Sequence, residues 1–165
     1  MFLASFETLT FLPVLHSHDD HRAFIHGVID LEEVWLADQE GRIVGMAAFS
    51  ESMLDHLYVH PAAQGQGAGG ALFEQAKACR PEGFTFRVFQ QNDRARRFYQ
   101  RRGCRIVRLT DGSGNEEQTP DALYEGRCCG AGIGGAGRWC SRSCRAAKGC
   151  GARPTLSPAP WPTGP

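Results

Sequence analysis

The stretch from Leu57 to Phe73, LYVHPAAQGQGAGGALF, constrains the fold of this chain more than any other. An apolar alternating run ends at His60-Pro61, glycines follow at 65, 67, 69 and 70, and Ala71-Leu72-Phe73 reads as the start of a helix. Residues without a Cβ let the backbone turn sharply and bring successive N–H groups to one anion. The helix N-terminus adds its partial positive charge. A diphosphate is the natural guest of such a loop. No Gly-Lys-Ser or Gly-Lys-Thr follows the glycines, so a nucleoside-triphosphate loop is disfavoured, and strands that precede position 57 do not suit a dinucleotide fold.

Two further details narrow the reading. Gln64-Gly65-Gln66-Gly67-Ala68-Gly69 has the pattern Gln or Arg, two residues, Gly, one residue, Gly or Ala. A second register, Gln66 to Ala71, fits the bare pattern, but only the first leaves Val59-His60-Pro61 before it and Leu72 after it in place. Further on, residues 92 to 103 read NDRARRFYQRRG: Asn, two residues, Ala, two residues, Phe-Tyr, three residues, Gly. Together, in this order, these motifs resemble the two signatures of the GCN5-related N-acetyltransferase (GNAT) family. The resemblance covers residues 10 to 125 and is specific from 54 to 103.

The resemblance implies an acyl-CoA N-acyltransferase fold, an α/β domain with a mixed, mostly antiparallel sheet flanked by helices. It also implies a reaction: transfer of an acetyl group from acetyl-CoA, as cosubstrate, to a primary amine of a small molecule or peptide. Gln64, Gly65, Gln66, Gly67, Ala68, Gly69 and Gly70 would bind the CoA diphosphate. Backbone groups near Leu57, Tyr58 and Val59 would hold the pantetheine arm and polarise the thioester carbonyl. Asn92 would bond the same arm besides capping a helix. Tyr99 matches the family's acid for the departing sulfur. Family bases commonly come from the strand before the loop. On a regular strand Glu51, Met53, Asp55, Leu57 and Val59 share one face, which makes Asp55 the first choice and Glu51 the second. His56 and His60 qualify only if a bulge reverses the register. Glu116 and Glu117 are alternatives for holding a cationic substrate. A non-catalytic CoA-binding or protein-interaction module on the same fold is the rival reading.

The rest of the chain supplies the frame. Residues 33 to 37 and 42 to 49 are apolar runs around Asp38-Gln39-Glu40-Gly41, which predicts a hairpin, with a third strand at 53 to 59. The helix after the glycines carries Leu72, Phe73, Ala76 and Cys79 on one side and stops before Pro81. A strand at 84 to 89 follows, parallel to the one at 53 to 59. A helix capped by Asn92 and closed by Gly103, a strand at 104 to 109 and a short final strand from 121 to 125 complete the pattern. At the N-terminus, Phe11, Leu12 and Leu15, then Phe24, Ile25 and Val28, suggest two helices, the second capped by Asp19 or Asp20. The first strand of the family is missing or reduced to the run Phe2 to Phe6. His16, His18, His21 and His26 sit at helical spacing and read as solvated surface or pocket polarity rather than as a metal site.

Charge divides the chain at Glu125. Eighteen acidic and 12 basic residues lie up to that point, and six basic residues with no acidic one follow. An acidic body suits a cationic amine acceptor. It argues against a nucleic-acid partner, even with Arg94, Arg96, Arg97, Arg101 and Arg102 close together, although one or two of these suit CoA phosphates. Residues 126 to 165 hold nine glycines, five prolines and five of the seven cysteines, a composition that cannot build a core and reads as a disordered tail translated out of frame. No membrane span or leader is expected, so the setting is cytoplasmic. Missing or shortened edge strands point to a homodimer or to an aggregation-prone protein.

Overall fold

The computed structural model describes residues 1–127, and the expectations for the tail lie outside the described residues. Helices α1 (Phe2–Phe6) and α2 (His18–Leu31) precede a hairpin of β1 (Glu33–Gln39) and β2 (Arg42–Phe49). Strand β3 (Leu54–Val59) leads through a 3-10 turn (Pro61–Ala63) to α3 (Ala68–Cys79), and β4 (Phe84–Phe89), α4 (Asp93–Gln100), β5 (Arg105–Leu109) and β6 (Asp121–Gly126) follow.

The strands form two antiparallel sheets, β1-β2-β3 and β4-β6-β5. A parallel bridge between Met53 and Thr85 joins them, with the Thr85 N–H donating to the Ser52 carbonyl at 3.0 Å. Past that bridge β3 and β4 belong to different ladders and part in a V. The expected parallel relation of these strands, and the mixed, mostly antiparallel α/β fold, are found.

Strand β2 is covered on both faces. Ala47 and Phe49 face the main core, where Phe73, Phe86, Tyr99 and Tyr124 pack; Met46 and Ala48 face α2 through Val28. Phe86 stacks on Tyr124 with centroids 5.4 Å apart and meets Tyr99 at 4.2 Å. In α3 the inward stripe is Leu72, Phe73, Ala76 and Lys77, with Cys79 only half-buried. Lys77 enters by placing its ammonium over the Phe73 ring, 5.2 Å from the centroid, and donating to Glu74 and to the Arg102 carbonyl.

Several expectations are corrected. The run Phe2 to Phe6 is a helix: it lacks β-branched residues, and its two rings sit 5.9 Å apart and pack on His21, with Phe2 also meeting Tyr58. Residues 11–15 form no helix, since Pro13 interrupts them. Ser17, not Asp19 or Asp20, caps α2; Asp20 closes the capping box by accepting from the Ser17 N–H at 2.8 Å. Strand β6 is not a shortened edge: it lies between β4 and β5 and pairs with β4 along its whole length, Asp121 opposite Phe89 and Gly126 opposite Phe84.

The regular β3 expected from the sequence is also corrected. Ala48 opposes His56, but Phe49 opposes Leu54, so Asp55 is the extra residue of a bulge. Leu54 and Leu57 therefore both reach the main core, while His56 and Tyr58 turn toward α2 and α1. Glu51 lies in the connection before β3, exposed.

Candidate active site

The V between β3 and β4 opens into two cavities that share Leu9, Leu57, Tyr58, Asn92, Ala95 and Tyr99. The larger, about 560 Å³, reaches the glycine loop; the smaller, about 300 Å³, reaches Glu117.

Backbone donors furnish the larger cavity. Gly65 and Gly67 take φ of +82° and +101°, the left-handed region that side chains disfavour. Gly67 is the N-cap of α3 with no side-chain cap, so the first helical N–H groups, of Ala68, Gly69 and Gly70, have no partner within the helix. Space also selects glycine here: a Cβ on Gly69 would stand 3.3 Å from Val59 and 3.7 Å from the Phe98 ring. Arg94, Arg101 and Arg102 line the same cavity and add positive charge, and the Arg102 guanidinium lies 3.7 Å over Phe98. This loop fits a diphosphate.

Strand β3 contributes the next group of donors and acceptors. The His60 N–H bonds Val44 at 2.8 Å, so Tyr58 and His56 fall at hydrogen-bonded positions of the β2 ladder. Leu57 and Val59 alternate with them, and their N–H and C=O groups point away from β2 into the V. The Val59 carbonyl accepts from the Gln64 amide at 3.0 Å, which ties the loop to the strand.

Of the residues singled out in the sequence, Leu57, Tyr58, Val59, Gln64, Gly65, Gly67, Gly69, Gly70, Asn92 and Tyr99 meet around the larger cavity. Gln66 and Ala68 do not line it, and the Gln66 amide turns back to donate to Ala62 at 2.7 Å. Asn92 caps α4 through its side-chain oxygen, which accepts from the Ala95 N–H at 3.1 Å. Tyr99 is buried where the cavities join, and burial pushes its phenol far above the usual value, so it keeps its proton.

Side chains furnish the smaller cavity. Phe2, Phe6, Phe24 and Phe89 supply apolar walls, and Asp55, His56, Asn115, Glu117, Asp121 and Arg87 supply polarity. Asp121 is held by Arg87 at 3.2 Å and by the Thr110 hydroxyl at 2.7 Å. The Asp55 carboxylate accepts from the Ser50 N–H at 2.8 Å. Glu116 pairs with His16 at 2.8 Å, whereas Glu117 has no ion pair among the described residues. Glu51 lines neither cavity. His60 accepts from the Ala62 N–H at 3.2 Å.

Sequence reasoning missed Glu32. It follows α2 with its side chain 11% exposed, and its Oε1 lies 4.0 Å from Nε2 of His56. Burial, then the Asp55 charge, pushes its carboxyl up to about 7, while burial pushes His56 down. Nothing in the local pattern of Leu31-Glu32-Glu33 marks one glutamate as buried. The four N-terminal histidines part company: His21 is buried between α1 and α2, His18 is exposed beside Glu7, and His26 is exposed. Among the described residues no cluster of three potential metal ligands forms.

Comparison with known proteins agrees with this geometry. Residues 30–105 match the model of the acetyltransferase (GNAT) domain. The solution structure of apo YjaB from Escherichia coli superimposes with a TM-score of 0.62 at 22% identity, covering 74% of this chain and 83% of that one. A GCN5-related N-acetyltransferase from Rhodopseudomonas palustris gives 0.62 at 22% identity, over 77% and 85%. A GNAT family acetyltransferase from Elizabethkingia anophelis with acetyl-CoA bound gives 0.55 at 17% identity, over 65% and 83%. No curated protein sequence matches the chain. The resemblance read from the two motifs is thereby shown, and the fold is that of the GNAT acetyltransferases.

Proposed function

We propose that this chain, whose residues 30–105 match the acetyltransferase (GNAT) domain model, moves the acetyl group of acetyl-CoA to the primary amine of a cationic small molecule or peptide. One observation carries the reading: a cavity walled by backbone donors and a cavity walled by carboxylates and aromatic rings meet at a buried tyrosine.

When bound, acetyl-CoA supplies an acetyl group already activated as a thioester. The chain's own residues do the rest. The α3 N-terminus and the loop at Gly65 to Gly70 hold the diphosphate, and Arg94, Arg101 or Arg102 answers the remaining phosphate charge. The open N–H groups of Leu57 and Val59 stabilise negative charge growing on the carbonyl oxygen and need no reorganisation, because the ladder to β2 fixes them. Glu117 receives the ammonium of the acceptor, and the walls of Phe2, Phe6 and Phe89 exclude water from it. Tyr99 delivers its proton to the departing sulfur.

The test is calorimetry with acetyl-CoA, CoA and ATP, followed by a screen of amines. Both CoA forms are expected to bind in the micromolar range and ATP not to bind. Tyr99→Phe should leave that binding intact and lower kcat about 10²-fold. Binding without turnover of any amine would overturn the catalytic reading and leave a CoA-binding module.

A further inference from the structure

The bulge at Asp55 turns His56 so that its ring lines the smaller cavity, stacked against Tyr58 at 5.7 Å and met edge-on by Phe24 at 5.3 Å. Behind it, away from the cavity, stands Glu32. Its Oε1 is 4.0 Å from the imidazole Nε2, just beyond hydrogen-bond length, and its Oε2 is buried with no hydrogen-bond partner among the described residues. Among the described residues no lysine or arginine pairs with it. A carboxylate placed so is costly unless it takes a proton or faces a cation. We propose that His56 and Glu32 act as one proton acceptor for the acetyl-transfer site, His56 taking the proton from the acceptor amine and Glu32 holding His56 in place and carrying the proton toward solvent. The proposal rests on the acetyltransferase reading and replaces Asp55 and Glu51 as the base of that reaction.

The proton balance closes. The acceptor ammonium first gives one proton to His56, which passes it to Glu32. The free amine then forms an N–C bond to the thioester carbonyl carbon, and the C–S bond breaks. The nitrogen loses a second proton, which matches the one Tyr99 gives to the sulfur and restores its phenol by way of the same site. The products are the amide, the CoA thiol and one proton released. His56 suits the first step because burial keeps it neutral at working pH, and Glu32, with its carboxyl near 7, can accept and release a proton there. The other titratable groups around the pair are Asp55 beside it on β3, Tyr58 one turn of the pleat further, and Glu117 beyond Tyr58. Asp55 acts on the pair by charge alone: it raises both groups while its own carboxylate is occupied by the Ser50 N–H.

Two measurements decide. The first is the pH dependence of kcat/KM on any amine that the wild-type protein acetylates. Wild type should rise through a limb near pH 7; Glu32→Gln should lose that limb and about 10²-fold in rate, with acetyl-CoA binding unchanged by calorimetry. Asp55→Asn should keep the limb and move it to lower pH, because it removes a like charge from Glu32. The second needs no turnover: imidazole ¹⁵N shifts of His56 followed between about pH 5 and 9. His56 should sense a titration near 7 that disappears in Glu32→Gln. A limb retained in Glu32→Gln, or a His56 titration indifferent to that substitution, overturns the proposal while leaving the acetyltransferase reading intact. A wild-type protein that binds no CoA overturns the reading, and the catalytic role of the pair falls with it.

Discussion

The two cavities that meet at Tyr99 differ in how the chain builds them. The larger draws mainly on two contiguous stretches, residues 57–70 and 92–102, and works through N–H groups, missing side chains and one helix terminus. The smaller collects side chains from α1, α2, β3, β4 and the connection before β6, and works through rings and carboxylates. A phosphate asks only for converging N–H donors, which a local backbone path provides. An acceptor must be told from other amines, and that takes surfaces brought together from distant positions. Substitutions on the first side should therefore act through backbone conformation and on CoA alone, and substitutions on the second through charge and shape and on the acceptor alone.

The sharpest attempt to break this division is Gly67→Val. A β-branched residue at φ +101° is strained wherever it points, so acetyl-CoA affinity should fall at least about 100-fold by calorimetry, although a Cβ there meets nothing within 4 Å. Intact affinity would mean that the loop reads CoA through something other than its backbone path.

On the acceptor side the expected effect is smaller. Glu117→Gln keeps the shape and removes the charge, so KM for the amine should rise about tenfold with acetyl-CoA binding unchanged, the scale of one charge-assisted hydrogen bond. An equal change in both constants would mean that the cavities are not separate.

The smallest effect is in stability. Glu32 has its folded carboxyl raised from 4.5 to about 7, so the folded state binds more protons than the unfolded one between those values, and stability falls as pH rises through that window. Glu32→Gln removes the penalty. Thermal melts should show it more stable than wild type by about 1 kcal/mol near pH 8, with the gain vanishing near pH 4.

The same contrast explains what could be read in advance. The hairpin around Asp38 to Gly41 was legible because Glu40 and Gly41 take the positive φ, +54° and +79°, that a tight turn of this kind requires. Helix α4 was legible because Asn92 caps it and Gly103, at φ +77°, ends the turn after it. The run Phe2 to Phe6 was not, since Phe2 and Phe6 share a face at either period and only the surface they met, Tyr58 and His21, made them helical. Nor was the place of β6: the run 121 to 125 looks short from the sequence, yet the strand reaches Gly126, matches the length of β4 and fills the middle of the second sheet.

By itself the sequence determined the glycine loop, the tyrosine motif and the order of strands and helices from β1 onward, because turns, caps and phosphate cradles are local and their residue types are dictated by φ and by the absence of a Cβ. The tertiary structure alone decided the bulge at Asp55, and with it the packing of His56 against α2. A one-residue shift in pairing sends every later side chain to the opposite face, and which face is lined depends on α1 and α2 packing across β3. Only that packing buried His56 and Glu32 side by side, which lowers the proton affinity of the imidazole and raises that of the carboxylate.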